Sequence, residues 1–163
     1  DFDLTQPDQA RLAQDHADGQ AVLIPDPASH DAFADKRRLI GLSRHPRCAA
    51  WVPPVFAGGE DWEATWHSRR HLFFKPAVGF GGKGGYRGDK ISRATWEKLD
   101  PAATLVQALV PPPVLDNGFK VDIRGFAVHG VVLAFGARLY RGQMTNFRSV
   151  GGGLAAVFCR HAC

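Results

Sequence analysis

The spacing of apolar residues predicts four extended segments in the first two thirds of the chain. The runs His71–Pro76 and Thr104–Val110 are short, apolar and closed by proline, which is typical of strands, and we expect the second to be buried. Ala21–Ile24 is a shorter run of the same kind and is ended by Pro25. Two prolines interrupt Trp51–Phe56, so this segment is expected at a sheet edge.

A strand hairpin is predicted in the last third of the chain. Phe119–Val128 alternates between apolar and polar residues, as a strand with one buried face does. A turn at His129–Gly130 then returns the chain through Val131–Tyr140. With a three-residue loop, Asp122 and Arg138 lie side by side on the polar face of this hairpin.

Helices are predicted between the extended segments. We expect a short helix within Asp8–Asp18, a helix that is capped by Ser29 and ended by His45–Pro46, a helix over Asp61–Arg69, and one capped by Ser92. At 163 residues the chain is long enough for one domain with a core.

Charge is distributed unevenly along this sequence. The formal net charge is +4, but none of the sixteen acidic residues follows Asp122, whereas five arginines do: Arg124, Arg138, Arg141, Arg148 and Arg160. A cationic C-terminal third suits a phosphate-rich partner, either a nucleotide or a nucleic acid. From charge alone, a solvated basic face is an equal alternative.

The sequence has no signal for membrane insertion. No run approaches the roughly 20 apolar residues that span a bilayer, and the first ten residues are acidic and polar. Three cysteines do not make a disulfide framework, and Cys159, His161 and Cys163 are a weak signal for zinc. We expect a cytoplasmic protein without membrane contact.

The most informative stretch is glycine-rich, with six glycines in the ten residues 79–88. Glycines let backbone N–H groups approach phosphate oxygens without side-chain obstruction. Lys75 ends an apolar strand, where a buried ammonium requires an anion, and Lys83 and Arg87 add charge at the loop. The loop is not a P-loop, because Gly84 follows Lys83 where Ser or Thr is required. Taken alone, the loop could equally be a mobile surface hairpin.

In their order along the chain, these features resemble the ATP-grasp superfamily. Ala34–Arg37, followed by Trp51–Pro54, is similar to the segment that carries the family's first ATP lysine, and Phe74–Pro76 to the strand that carries the second. Leu105–Val110 resembles its hinge strand, whose backbone reads the adenine edge. The resemblance covers roughly residues 25–157 and implies these ATP-binding residues: Lys36, Lys75, Gly81, Gly82, Lys83, Gly84, Arg87, Gln107, Ala108, Leu109 and Asp122.

The fold that this resemblance implies is α/β (α+β), with two small lobes whose antiparallel strands surround a nucleotide cleft, here incomplete. Residues 1–70 would carry the first lysine, residues 71–111 the small lobe with the glycine-rich loop and the hinge, and residues 112–163 part of the larger lobe.

The implied activity is that of an ATP-dependent carboxylate–amine ligase, which phosphorylates a small carboxylate and lets an amine attack the acyl phosphate. Arg124 and Arg138 would act as catalytic residues that stabilise the transferring phosphoryl group, and Asn146 would donate to the acyl phosphate from a closing loop. Two simpler interpretations stay open: Lys36 as a solvated helix residue, and Arg138 as a purely structural partner of Asp122.

Magnesium is expected for the complete enzyme, but its ligands are not evident. The approach to Lys36 is similar to that of the circularly permuted branch that includes glutathionylspermidine synthetase, in which the Asp, Glu and Asn ligands precede the ATP lysines. No carboxylate follows Asp122, and none of Glu60, Glu63 and Glu97 has an Asn two residues on. We therefore predict ligands upstream of this sequence or a degenerate chain, nucleotide binding that depends little on magnesium, and no ATP turnover by the chain alone.

The rival prediction is a non-catalytic basic module that binds nucleic acid. Its stacking surfaces would be aromatic: Trp51, Trp62, Trp66, Tyr86 and Trp96. These residues are not interleaved with the arginines, so nucleic acid is the weaker prediction.

Overall fold

The computed structural model describes residues 4, 7–59, 61–79, 82–147 and 149–158, and of Asp31 only the backbone. The predicted nucleotide-binding residue Gly81 and the weak zinc signal at Cys159, His161 and Cys163 lie outside the described residues.

Five short α-helices and two 3₁₀ turns occur in the described residues. None of the helices there is long and apolar enough to cross a membrane. Ser92 caps its helix as predicted, accepting a hydrogen bond from the Thr95 N–H at 3.2 Å. The helical elements are the 3₁₀ turn Pro7–Gln9, α1 Ala10–Ala17, α2 Pro27–Ala34, α3 Arg38–Arg44, α4 Trp62–Ser68, the 3₁₀ turn Arg69–His71 and α5 Arg93–Trp96.

The single helix predicted from Ser29 to His45–Pro46 is two helices. Asp26, not Ser29, caps α2, because its carboxylate accepts from the Ser29 N–H at 3.1 Å. The helix stops at Asp35, whose side chain accepts from the Arg37 N–H at 2.8 Å and so competes with helical hydrogen bonding. The turn at residues 35–37 therefore separates α2 from α3.

The strand predicted at Ala21–Ile24 was wrong. This segment has no strand structure, and the side chains of Val22 and Ile24 are 85% and 87% exposed. Val55–Ala57 occupies the position beside the buried Thr104–Ala108 strand, and residues 21–24 pair with no strand in the described part of the chain.

The first sheet is antiparallel, and its core lies between the sheet and the tryptophans of α4 and α5. It is formed by β1 Val55–Ala57, β2 Leu72–Pro76, β3 Tyr86–Arg87 and β4 Thr104–Ala108, in the order β1-β4-β2-β3. Phe74 and Val106 are fully buried against Trp96. Trp62 stacks on Trp96 with ring centres 3.8 Å apart, which fixes α4 and α5 on the sheet. The predicted strands at 71–76 and 104–110 are thus confirmed, and the segment at 51–56 contributes an edge strand.

The second sheet is also antiparallel, formed by β5 Lys120–Val128, β6 Val131–Tyr140 and β7 Gly153–Ala156, in the order β5-β6-β7. Asp122 pairs directly with Arg138, as predicted. The connection differs, because His129 and Gly130 form a two-residue turn with φ of 48° and 78°. A register shift between Phe126 and Ala127 then restores the pairing that a three-residue loop would give. The chain is therefore a mixed α/β protein with two antiparallel sheets.

Candidate functional site

An open cleft of about 2100 Å³ lies between the two sheets. Because ligand pockets measure roughly 300–1000 Å³, this cleft has room for a nucleotide beside a second small molecule. Gly84 is not part of the lining; its backbone lies against the ring of Pro76. The cleft brings together the other described residues that the sequence singled out: Lys36, Lys75, Gly82, Lys83, Arg87, Gln107, Ala108, Leu109, Asp122, Arg124, Arg138 and Asn146.

Lys75 enters the cleft from β2. Its ammonium donates to Oε1 of Gln107 on the neighbouring β4 and lies 5.4 Å from the centre of the Phe73 ring. Burial, and then the positive charge of Lys36, lower the pKa of Lys75. No carboxylate among the described residues forms an ion pair with it. A partly buried ammonium in this position is stabilised by a bound anion.

Lys36 reaches the same cleft from the turn between α2 and α3. Its backbone N–H donates to the Ala77 carbonyl at 2.9 Å and its ammonium to the Gly79 carbonyl at 2.5 Å. Both ends of the residue are thereby tied to the segment that follows β2. Burial lowers the pKa of Lys36, and the charge of Asp35 opposes that shift. Lys36 therefore lies in a turn outside the two helices, and its partly buried ammonium is hydrogen-bonded at the cleft.

The glycine-rich loop has two glycines in the left-handed backbone region and an arginine that is paired with a carboxylate. Gly82 and Gly84 have φ of 73° and 70°, a region that favours glycine. Arg87, at the end of the loop, donates through Nε and Nη2 to Asp89, both at 3.0 Å. Its charge is therefore partly compensated by Asp89.

The hinge strand ends in a segment with one free donor. The Ala108 N–H donates to the Pro54 carbonyl at 2.9 Å and the Leu109 N–H to the His71 carbonyl at 2.8 Å. Residues 111–113 are prolines and have no N–H. The Val110 N–H forms no hydrogen bond within the described residues and lies at the cleft, so it is the donor that this segment can offer to a ligand. The triple proline was the signal in the sequence that could have identified Val110.

Asp122 is fully engaged by protein groups. Arg138 donates from Nε to Oδ1 at 2.6 Å and from Nη2 to Oδ2 at 2.8 Å, and the Thr145 hydroxyl donates to Oδ2 at 2.7 Å. Burial raises the pKa of Asp122, but these hydrogen bonds outweigh burial and lower it. Sequence reasoning missed Thr145, because nothing local connects it to a residue 23 positions earlier. Arg124, two positions from Asp122 on β5, is exposed at the cleft.

Asn146 holds the shape of the loop that follows Tyr140, which is described at residues 141–147 and 149 and is called here the 141–149 loop. Its amide nitrogen donates to the carbonyls of Arg141 and Met144 at 2.9 and 3.0 Å. Its amide oxygen accepts from the N–H of Ser149 at 3.0 Å. The 141–149 loop is therefore held by its own hydrogen bonds beside the cleft.

Met144 connects the two walls of the cleft. Its Cε methyl lies against the glycine-rich loop, where a Cβ added to Gly85 would be 2.8 Å away and one added to Gly82 would be 3.3 Å away. Because Gly82 and Gly85 have no side chains, there is room for the Met144 methyl group between the two loops. The 141–149 loop, anchored to Asp122 through Thr145, contacts the glycine-rich loop at this point.

The cleft is strongly cationic. One carboxylate, Asp122, is present among the described lining residues. Seven cationic side chains line it as well: Lys36, Lys75, Lys83, Arg87, Lys90, Arg124 and Arg138. Such an excess of positive charge favours a ligand that carries several negative charges.

Three of the four tryptophans are packed together in the first sheet, and the fourth, Trp51, is 86% exposed. Trp62, Trp66 and Trp96 pack on one another and on Phe74, with ring centres 3.8–6.0 Å apart. Their faces are used within the core of the first sheet, so they cannot serve as open stacking platforms.

Comparisons of the chain with protein-family models, with curated proteins and with solved structures found no match.

Proposed function

We propose that this chain is the ATP-binding portion of an ATP-dependent carboxylate–amine ligase of the ATP-grasp type. The observation that carries the proposal is the convergence of Lys36 and Lys75 on one cleft from different elements, neither with a carboxylate partner among the described residues. Each ammonium disfavours the charge of the other, and a polyanion between them reverses that effect. A nucleotide phosphate chain supplies such an anion.

The far end of the cleft suits a base. The Val110 N–H is a free donor among the described residues, the prolines at 111–113 keep it in place, and Leu109 and Leu115 provide apolar surface. A flat heteroaromatic ring is commonly held by an apolar slot with few polar groups. The adenine would therefore lie at the hinge, with its phosphates directed toward the two lysines.

The acid and amine substrates would occupy the wall formed by the second sheet. Arg124 supplies an exposed guanidinium there, and residues 143–147 line the same part of the cleft. A guanidinium binds a carboxylate or a phosphoryl group through paired hydrogen bonds. Arg138 is directed to Asp122, which favours a structural role for it over contact with a phosphoryl group. The chain by itself is expected to bind nucleotide and to turn over no ATP.

Limited trypsin digestion tests the proposal. Trypsin cleaves after Lys83 in the glycine-rich loop, and ATP should slow this cleavage by covering the loop. Cleavage after Lys98, which is exposed and outside the cleft lining, is the internal control and should be unchanged. Single-stranded oligothymidylate at the same phosphate concentration should not protect Lys83. Protection by the oligonucleotide but not by ATP would establish the nucleic-acid alternative, and protection by neither ligand would refute the proposal.

A further inference from the structure

The donor set of the cleft does not fit the magnesium ion that the ATP-grasp resemblance implies. Magnesium requires an octahedron of hard oxygen ligands at roughly 2.0–2.1 Å. Asp122 is the one carboxylate among the described lining residues, and its two oxygens already accept three hydrogen bonds from Arg138 and Thr145. No group of three or more His, Cys, Asp or Glu side chains elsewhere in the described residues is placed to hold a metal.

The counter-charge that a metal would supply is already present in protein side chains. Lys36 and Lys75 approach the cleft from two sides, and Lys83 and Arg124 add positive charge around them. A metal bound to ATP bridges the β- and γ-phosphate oxygens and neutralises about two of roughly four negative charges. Those are the oxygens and the charges that the two partly buried lysines would otherwise contact.

We infer that the cleft selects a nucleotide polyphosphate that carries no magnesium, so that magnesium weakens binding. The inference rests on the proposed nucleotide function and adds the metal state of the ligand. The sequence predicted only that binding depends little on magnesium, whereas the charges in the cleft predict a dependence of definite sign. Magnesium and the lysines compete for the same phosphate oxygens.

Titration calorimetry at constant ionic strength tests the inference. The dissociation constant of ATP is measured in chelator and in saturating magnesium, with sodium chloride adjusted because salt alone screens the lysines. We expect binding to be about tenfold tighter without magnesium, which corresponds to the loss of about two unscreened charge contacts. Adenosine monophosphate has no β- or γ-phosphate for the metal to bridge, so its affinity should be the same in both buffers.

Charge-removing variants locate the effect. Lys36→Gln and Lys75→Gln should each reduce the ratio of the two ATP dissociation constants, because fewer ammonium groups then compete with the metal. Lys98→Gln removes an exposed lysine outside the lining and should leave the ratio unchanged. Circular dichroism of each variant establishes that it is folded.

The outcomes separate this inference from the function on which it rests. Equal affinity in the two buffers, or tighter binding with magnesium, overturns the inference and leaves the nucleotide function intact. ATP that binds in neither buffer refutes the proposed function and the inference with it. Tripolyphosphate that binds as tightly as ATP contradicts recognition of a base, while the selection of metal-free polyphosphate stands. Tighter ATP binding in chelator, lost in the two lysine variants, supports the inference.

Discussion

The two sheets of this protein are built from similar strands but are packed very differently. In the first sheet Phe74, Val106 and Trp96 are at most 1% exposed. In the second sheet, apolar side chains such as Ile123 and Leu133 are 58% and 68% exposed. Alternation along a strand fixes which residues share a face, but only the packing partner decides whether that face is buried. The first sheet is therefore stabilised by its core, and the second mainly by its strand pairing and by polar contacts such as Asp122–Arg138.

The largest effect should come from removing the centre of that core. Trp96→Ala deletes a side chain that contacts Trp62, Trp66 and Phe74, and we expect it to lower the free energy of unfolding by about 3–5 kcal/mol. Phe135→Ala, at a 42% exposed position in the second sheet, should cost less than about 1.5 kcal/mol. Urea denaturation measures both values. Equal costs would show that the second sheet has a core of comparable weight.

Lys75, on a strand, should contribute more to nucleotide affinity than Lys83, on the glycine-rich loop. Lys75 is held by β2 and by Gln107, whereas Lys83 lies on the glycine-rich loop. Lys75→Ala should therefore weaken ATP binding by about 1.5–3 kcal/mol and Lys83→Ala by less. Calorimetric titration of the two variants compares them directly, and the same dissociation constant in both would contradict this division of roles.

The polar contact within the second sheet should have a pH signature. Asp122→Asn should cost roughly 1 kcal/mol at pH 7, since the pair is partly exposed and screened. The folded pKa of Asp122 lies below its ordinary value, so its contribution is present above about pH 4 and is lost as the pH falls through the folded pKa. Urea denaturation should show that the difference in free energy of unfolding between the wild type and the variant is smaller at pH 3 than at pH 7. An advantage of the same size at both values would exclude this linkage.

The smallest effect concerns the contact that joins the two walls of the cleft. Gly85→Ala would place a Cβ 2.8 Å from the Met144 methyl, which is the flexible end of a side chain and can move. We expect a cost below about 1 kcal/mol, and almost none when the substitution is made in a Met144→Ala background. A double-mutant cycle of these two substitutions, measured by urea denaturation, gives the coupling free energy between residues 85 and 144. The same cost in both backgrounds would mean that the two loops do not meet.

Sequence periodicity predicted the parts of this fold that depend on alternation. The pairing of Asp122 with Arg138 followed from two alternating strands and a turn at His129–Gly130, although the loop is one residue shorter than predicted and the bulge was not foreseen. The break at Asp35 and the β7 strand beginning at Gly153 were not predicted. The first depends on a side-chain hydrogen bond that competes with the helix, and the second on a partner strand, β6, that lies well apart from it in the sequence.

In the candidate site, too, the residues with a local sequence signal were predicted and those that depend on distant partners were not. The lysines and the glycine-rich loop are dense local signals, and the structure brings most of them to one cleft. Thr145 had no signal of its own, because its role depends on a hydrogen bond to the distant Asp122. Val110 had only an indirect signal, the three prolines that follow it and lack N–H groups. Residues whose role comes from what their neighbours lack are the hardest to predict from sequence.

Met144 is the only methionine in the sequence. A chain labelled with carbon-13 at the methionine methyl group would therefore give a single resonance, and that nucleus lies where the glycine-rich loop meets the 141–149 loop. Its chemical shift and relaxation would report in solution on the contact between the two loops, without any substitution and without interference from the rest of the chain.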